Sequence, residues 1–322
     1  MGCSAGLTAI DKDLAARFKA ALDRLNPAGG RLGLAVSGGP DSMAMLLLAQ
    51  EAVPGGFEVA TVNHGLRPEA QAECALVAAA CQERGVPCEV LKVELSSGNV
   101  QARAREARYG ALQEWSQERG LATFATAHHA DDQAETLLMR LSRGVGVTGL
   151  AGIAESLVLG MDEITVIRPL LQFRKSELLS IIASSGQAIC EDPSNANRDY
   201  ERVRMRQAIA GADWLDPLML ARAARHLRDA DDALWWASEL VWEHHIVEDQ
   251  GALRFRVIGP REIRLRVVGC AISKFGGDPE GGDVARLLDR LERGENGNLA
   301  GVLATVEGKE WVFRREPARR SG

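Results

Sequence analysis

Residues Ser37-Gly38-Gly39-Pro40-Asp41-Ser42 stand between two apolar runs, Leu32–Val36 and Met43–Ala49. A strand, a glycine-bearing turn and a helix in that order can hold a phosphate. The glycines let the backbone approach an anion, and the N–H groups that open a helix have no intrahelical partner. The helix dipole favours negative charge there, and Ser37 and Ser42 add hydroxyl donors. Asp41 would repel a bare phosphate, but it fits if Mg²⁺ joins its carboxylate to phosphate oxygens. The turn has neither the G-K-[ST] ending of a Walker loop nor the pattern G-x-G-x-x-G. Read alone, it is also compatible with an ordinary strand–helix turn capped by Asp41.

A second group follows the apolar run Leu121–Ala127: His128-His129-Ala130-Asp131-Asp132-Gln133-Ala134-Glu135-Thr136. A strand ending at Ala127 puts His128 at its carboxyl tip, with Asp132 one helical turn on. His128 can orient or neutralise phosphate, and Asp132 can hold Mg²⁺ or take a proton from an amine. By itself the run also suits the exposed start of a helix, or a transition-metal site. His64 closes another strand-like run, Phe57–Val62, and is grouped with the nucleotide-binding residues. Arg105 and Arg108 are three apart, and Arg202 and Arg206 four apart, so a helix would put each pair on one face. A solvated, salt-bridged surface has the same spacing.

These residues need a scaffold, and the first two-thirds of the chain supplies one. Strand-like runs at 31–36, 57–62, 87–93, 121–126 and 164–167 alternate with helical patterns at 42–53, 68–84, 101–119, 131–143 and 174–185. This alternation predicts an α/β, Rossmann-like parallel sheet. A strand order of 3-2-1-4-5 would bring the phosphate turn and His128/Asp132 into one crevice, where the strand order reverses. After residue 210 the pattern changes to a long helix at 218–247, a strand at 252–257, a helix at 283–293 and a hairpin turned at Glu307-Gly308. The expected division is a catalytic domain over 1–210 and a smaller, mainly helical domain over 211–322 that ends in the hairpin.

The 322 residues are 46% hydrophobic and 25% charged, ordinary globular values that exclude wholesale disorder. A net charge of −6 argues against a protein that grips nucleic acid with its whole surface. Charge is patchy, however. Arg254, Arg256, Arg261, Arg264 and Arg266 are opposed within their run only by Glu262, and further arginines close the chain. No apolar run is long enough to span a membrane, and no secretory signal is evident, so a reducing cytoplasm is expected. The six cysteines have neither C-x-x-C nor zinc-like spacing. Oligomeric state stays open, a homodimer included.

The S-G-G-x-D-S turn resembles the PP-loop of the N-type ATP pyrophosphatases, which split ATP to AMP and pyrophosphate while adenylating a substrate oxygen. Several further motifs together resemble the tRNA(Ile)-lysidine synthetase family: V-N-H-G-L-R at 62–67, A-R-x-A-R-Y at 104–109 and H-H-x-D-D-x-x-E-T at 128–136. The same holds for R-P-L-L at 168–171, E-D-P-S-N at 191–195 and Y-x-R-x-x-x-R at 200–206. The family usually has Asn at the position of Val203, so Val203 is left out of the site. The resemblance is specific over about residues 31–210 and weaker beyond.

It implies ATP-dependent attachment of free L-lysine to the wobble cytidine of a tRNA(Ile) with a CAU anticodon. Ser37, Gly38, Gly39, Pro40, Asp41 and Ser42 would then cradle the phosphates of ATP, with Asp41 and Asp132 placing Mg²⁺. Asp41, His128 and Asp132 are the catalytic candidates. Arg105 and Glu135 would meet lysine, and Arg202 and Arg206 the phosphates of the anticodon loop. The Arg254–Arg266 run and the C-terminal arginines would help to discriminate among tRNAs. Two other readings stay open: a PP-loop tRNA thiolase, and a non-catalytic nucleotide- or RNA-binding protein.

Overall fold

The computed structural model describes residues 10–63, 65, 69–93, 100–160, 164–190 and 201–316. His64, the 191–195 motif and Tyr200 lie outside them. The chain divides into two compact units, Met1–Arg228 and Asp229–Gly322. The expected division at 210/211 falls earlier, between two helices.

The N-terminal unit runs α1 (Lys12–Leu25), β1 (Leu32–Ala35), α2 (Pro40–Ala52), β2 (Phe57–Asn63), α3 (Glu69–Glu83), β3 (Cys88–Lys92), α4 (Val100–Glu118) and β4 (Thr123–Ala125). It continues with α5 (Ala130–Leu141), α6 (Val147–Leu150), β5 (Ser156–Leu159), β6 (Ile164–Ile167), α7 (Lys175–Ser185), α8 (Glu201–Ala210) and the start of α9 (Pro217–His245). Among the described residues its strands form one sheet in the order β3-β2-β1-β4-β6-β5. All neighbours are parallel except β5, which pairs antiparallel with β6 at the edge. With β6 as the expected fifth strand, the order is the expected one, extended by a strand that sequence patterning does not reveal.

β1, β2 and β4 are almost continuously buried because helices cover both faces of the sheet. α2 is buried all round, from Ser42 to Ala49, and packs against α1 and α7. The apolar run Met43–Ala49 is therefore part of a core helix. On the other face, Trp115 of α4 packs beside Phe124 and Val166. Gly33 is what lets β1 lie there, since a Cβ at that position would come within 2.7 Å of the Trp115 ring.

The C-terminal unit holds the rest of α9, then β7 (Ile246–Asp249), β8 (Ala252–Arg256), α10 (Arg261–Lys274), α11 (Gly281–Glu292), β9 (Gly297–Leu299), β10 (Val302–Glu307) and β11 (Glu310–Arg315). The predicted hairpin is β10–β11, closed at Glu307–Glu310 around Gly308 and Lys309. It belongs to an antiparallel sheet of order β7-β8-β11-β10-β9. Helices make up most of the unit's regular structure, as expected, and the hairpin that ends it belongs to this five-stranded sheet. Its core places Phe255, Trp311 and Phe313 against the apolar stripes of α10 and α11. Among the described residues no helix is long and apolar enough to cross a membrane.

Candidate active site

β1 lies between β2 and β4, so its carboxyl end is the point where chain order reverses and a crevice opens. A cavity of about 290 Å³ occupies it. Ser37, Gly39, Asp41 and Ser42 line it from the turn, Thr61 and Val62 from β2, His128 and Asp132 from the end of β4 and α5, and Arg108 and Arg202 from α4 and α8.

The phosphate turn is held by its own side chains. Gly39 caps α2 and Pro40 opens it, where the missing N–H is no loss. The Ser42 hydroxyl donates to the Gly39 carbonyl at 3.0 Å and accepts from the Ser37 N–H at 3.1 Å. Its one proton is committed, so the Ser37 hydroxyl, 3.2 Å away, is the donor between the two. The Ser42 hydroxyl therefore closes the turn and engages both donors of Ser37, which leaves the N–H groups of Gly38, Gly39, Asp41 and Ser42 to meet an anion. Gly38 has a φ of +85° and accepts from the Cys190 N–H at 2.9 Å, so the turn is tied to the chain beyond α7.

Sequence reasoning selects His128, and the structure adds its neighbour. His129 is 2% exposed, and its ring faces three carboxylates. Its Nε2 is 3.5 Å from Asp41 Oδ2 and 3.4 Å from Asp132 Oδ2, and its Nδ1 is 3.6 Å from Asp131 Oδ2. Burial opposes a charge on the ring, but Asp131, Asp41 and Asp132 outweigh it and push its pKa up to about 10. His129 is a cation at neutral pH, and it pairs with Asp41 and Asp132. The sequence signal for this was its place before Ala130-Asp131-Asp132, at the N-cap of α5.

His128 has the opposite character. Burial lowers its pKa to about 4, and the charges of Arg168, Arg105 and Arg108 add to that effect while Asp132 opposes it. It is neutral at pH 7, and its Nδ1 lies 3.0 Å from the Thr126 hydroxyl. It can direct a hydrogen bond at a phosphate.

Asp132 accepts from the His129 N–H at 3.0 Å and from Arg202 Nη2 at 2.7 Å. Burial favours its neutral form, yet the charges of His129 and Arg202 hold its pKa below the usual carboxylate value. Asp41 Oδ1 is buried and has no hydrogen-bond partner among the described residues. That atom suits a hard cation. Asp132 would have to exchange its Arg202 contact to become a second ligand. No group of three or more His, Cys, Asp or Glu side chains among the described residues is arranged to hold a metal, so other ligands would have to come from phosphate and water.

The remaining candidates separate. Glu135 is buried and accepts from Arg202 Nε and Arg206 Nε, both at 2.6 Å. These bonds hold α8 against α5 and engage all three side chains with one another. Arg105 is exposed, with its guanidinium 5.0 Å from the Tyr109 ring centroid, and does not line the cavity. Arg108, one turn on, does line it. Val203 is buried in the N-terminal unit, where an apolar side chain fits.

A family described as the PP-loop domain matches residues 10–212. The tRNA(Ile)-lysidine synthase of Novosphingobium aromaticivorans is 45% identical over 311 residues, which cover 95% of each chain. That of Zymomonas mobilis is 38% identical, covering 92% of this chain and 91% of the relative. Among solved structures, the U34-tRNA thiolase NcsA of Methanococcus maripaludis superposes with a TM-score of 0.57 at 18% identity, over 67% of this chain and 78% of that one. It shares the fold. By sequence, the chain belongs to the tRNA(Ile)-lysidine synthase family within the PP-loop proteins.

Proposed function

We propose that this chain joins the ε-amine of free L-lysine to C2 of the wobble cytidine, position 34, in a tRNA(Ile) with a CAU anticodon. In the first step the C2 carbonyl oxygen attacks the α-phosphorus of ATP and pyrophosphate leaves. In the second, the lysine nitrogen adds to C2, the C2–O bond breaks, AMP departs with that oxygen, and the amine loses a proton. The lysidine formed changes decoding from AUG to AUA. The reading places the enzyme in the cytoplasm with its tRNA.

One observation carries this reading: the phosphate turn, His128, Asp132 and Arg108 meet in a single cavity, in a chain 45% identical to a lysidine synthase. The N–H groups of Gly38, Gly39, Asp41 and Ser42 bind the phosphates of ATP, while Ser37 and the Ser42 hydroxyl hold the turn in shape. Mg²⁺, held by Asp41 and by Asp132 once Arg202 yields, would neutralise phosphate charge and favour pyrophosphate departure. Neutral His128 donates to a phosphate oxygen, and His129 keeps Asp41 and Asp132 in place. The cavity position of Arg108 and the exposure of Arg105 favour Arg108 for the lysine carboxylate. Glu135 reaches the lysine amine only by giving up an arginine. The amine needs a base before it attacks, and Asp132, beside His128 on the cavity wall, can take that proton in place of holding Mg²⁺.

The test combines the protein with Mg²⁺-ATP, radiolabelled lysine and an unmodified CAU tRNA(Ile) transcript. Lysine-dependent labelling of the RNA with AMP release is expected, and none with initiator methionine tRNA. Release of AMP and pyrophosphate without label would keep the PP-loop chemistry and reject lysine. A thiolase reading would need a reactive cysteine. Burial instead pushes the Cys190 thiol up, and Cys190→Ala should retain activity.

A further inference from the structure

The sequence places a basic run at Arg254–Arg266, but its charge is largely answered within its own unit. Arg254 meets Glu307, Glu310 and Asp249, Arg261 meets Asp289 and Glu292, Arg264 meets Glu292, and Arg266 is buried against Asp231. Residues 229–322 carry seventeen acidic side chains against fourteen basic ones. This unit has no strong basic field with which to attract a polyanion.

Uncompensated charge lies elsewhere, in the N-terminal unit. Arg204 of α8 and Arg222 and Arg225 of α9 are exposed and make no ion pair among the described residues. Between them, in the link from α8 to α9, Trp214 is 79% exposed. Met219, also exposed, lies one turn before Arg222 on the same helix face. The link is fixed: Asp216 receives both terminal nitrogens of Arg174, at 2.7 and 2.8 Å, and caps the N–H of Leu218. Asp213 is the exposed acid in this stretch, while Asp216 is engaged by Arg174. The far side of α9 is occupied, with Ala221 and Ala224 buried and Arg228 bonded to the carbonyls of Ala151 and Gly152.

We infer that the α8–α9 link, through Trp214, Arg204, Arg222 and Arg225, is an RNA-contact surface on which Trp214 stacks an unpaired or terminal base while the arginines meet phosphates. The inference rests on the proposed tRNA substrate and names the surface that holds it. Charge complementarity selects the occupant, since three unpaired arginines flank an exposed indole. Aromatic stacking with flanking cations is the general mode by which proteins hold unpaired nucleotides. Continuity supports it as well. Arg202, at the start of α8, lines the cavity, and from there α8 runs about 12 Å to its end at Ala210. RNA with a base in the cavity would pass along this helix to the link.

The test measures binding of a CAU tRNA(Ile) transcript by the full chain across a salt series, with Mg²⁺-ATP binding measured in parallel. Trp214→Ala should weaken tRNA binding about tenfold or more. Arg222→Glu combined with Arg225→Glu should weaken it further and flatten the salt dependence by roughly one to two phosphate contacts. ATP affinity should be unchanged in both, and Arg254→Glu with Arg261→Glu should bind tRNA as the wild type does. Trp214→Phe, which keeps a stacking ring, should recover most of the loss. Wild-type affinity in Trp214→Ala and in the double variant would overturn the inference. So would a fall in oligomeric state with tRNA affinity intact, which would make this face a contact between copies. A wild-type protein that binds ATP but no tRNA would instead reject the substrate reading, and this inference with it.

Discussion

In the C-terminal unit, Arg266 and Asp231 face each other at 2.6 Å with side chains 4% and 2% exposed. Around Glu135 in the N-terminal unit the carboxylate is equally buried, but its two arginines reach solvent, with Arg202 43% and Arg206 34% exposed. Both members of the first pair are buried, Arg266 Nε also meets Glu262 at 3.1 Å, and its guanidinium lies over the Trp235 ring at 4.9 Å. Such a pair fixes one packing arrangement and cannot exchange partners with a ligand. The second is open on the cavity side, where Arg202 also touches Asp132. A substrate phosphate or a cation can compete for those contacts. Arginine–carboxylate pairs thus build a structural lock in one unit and an exchangeable clamp in the other, and the distinguishing quantity is how much of the arginine stays wet.

The largest effect should come from opening the closed pair. Arg266→Met alone should destabilise the C-terminal unit by about 3–5 kcal/mol, because it strips the guanidinium from a buried carboxylate. Adding Asp231→Leu should recover most of that, and urea unfolding of the two variants gives the comparison directly. If the single variant is as stable as the wild type, the pair is not a lock.

His129→Gln comes next, through pH. The folded pKa of His129, about 10, lies above the unfolded value near 6.5. Its ionised ring therefore stabilises the fold fully below about pH 6.5, and that contribution is lost as pH rises toward 10. The wild type should lose stability across this window, by a few kcal/mol at most. The variant, weaker at pH 6, should show a flatter profile, and unfolding midpoints from pH 6 to 10 decide it.

Glu135→Gln should cost about 2–3 kcal/mol, less than the closed pair because solvent screens the half-exposed arginines. It should also lower lysine incorporation more than tenfold if α8 must be held against α5. Lost stability with normal turnover would show that the clamp is only structural. The smallest effect is expected from Arg261→Ala, which breaks exposed pairs to Asp289 and Glu292. Its unfolding midpoint should barely move.

The phosphate turn and the strand order were legible because their signals are local: apolar runs, two glycines, and helix starts at regular intervals. The site was legible down to Asp41, His128 and Asp132 as lining residues, but not in its electrostatics. Adjacent histidines differ by about six pKa units, one near 4 and the other near 10. Only the fold decides which ring faces three carboxylates. Arg105 and Arg108 share a helix and a motif, and the phase of α4 alone sends Arg108 to the cavity. In the C-terminal unit, α10 was hidden because its arginines read as a surface patch, and β7 and β9 because short edge strands carry little pattern. The Asp231 partner of Arg266 lies thirty-five residues away, beyond any local signal.

The bond from the Cys190 N–H to the Gly38 carbonyl has a consequence for how the protein is made. The phosphate turn is encoded near the start of the chain, yet one of its anchors arrives about 150 residues later. At a synthesis rate of roughly 5–20 residues per second, the nascent turn waits about 8–30 s for that anchor. β1 gains its neighbour β4 earlier, some 85 residues after the turn, so a ribosome-bound fragment ending between β4 and residue 190 lacks this anchor alone and should hold ATP more weakly than the full chain. Full nucleotide affinity is therefore expected only late in translation, although its signature is written early.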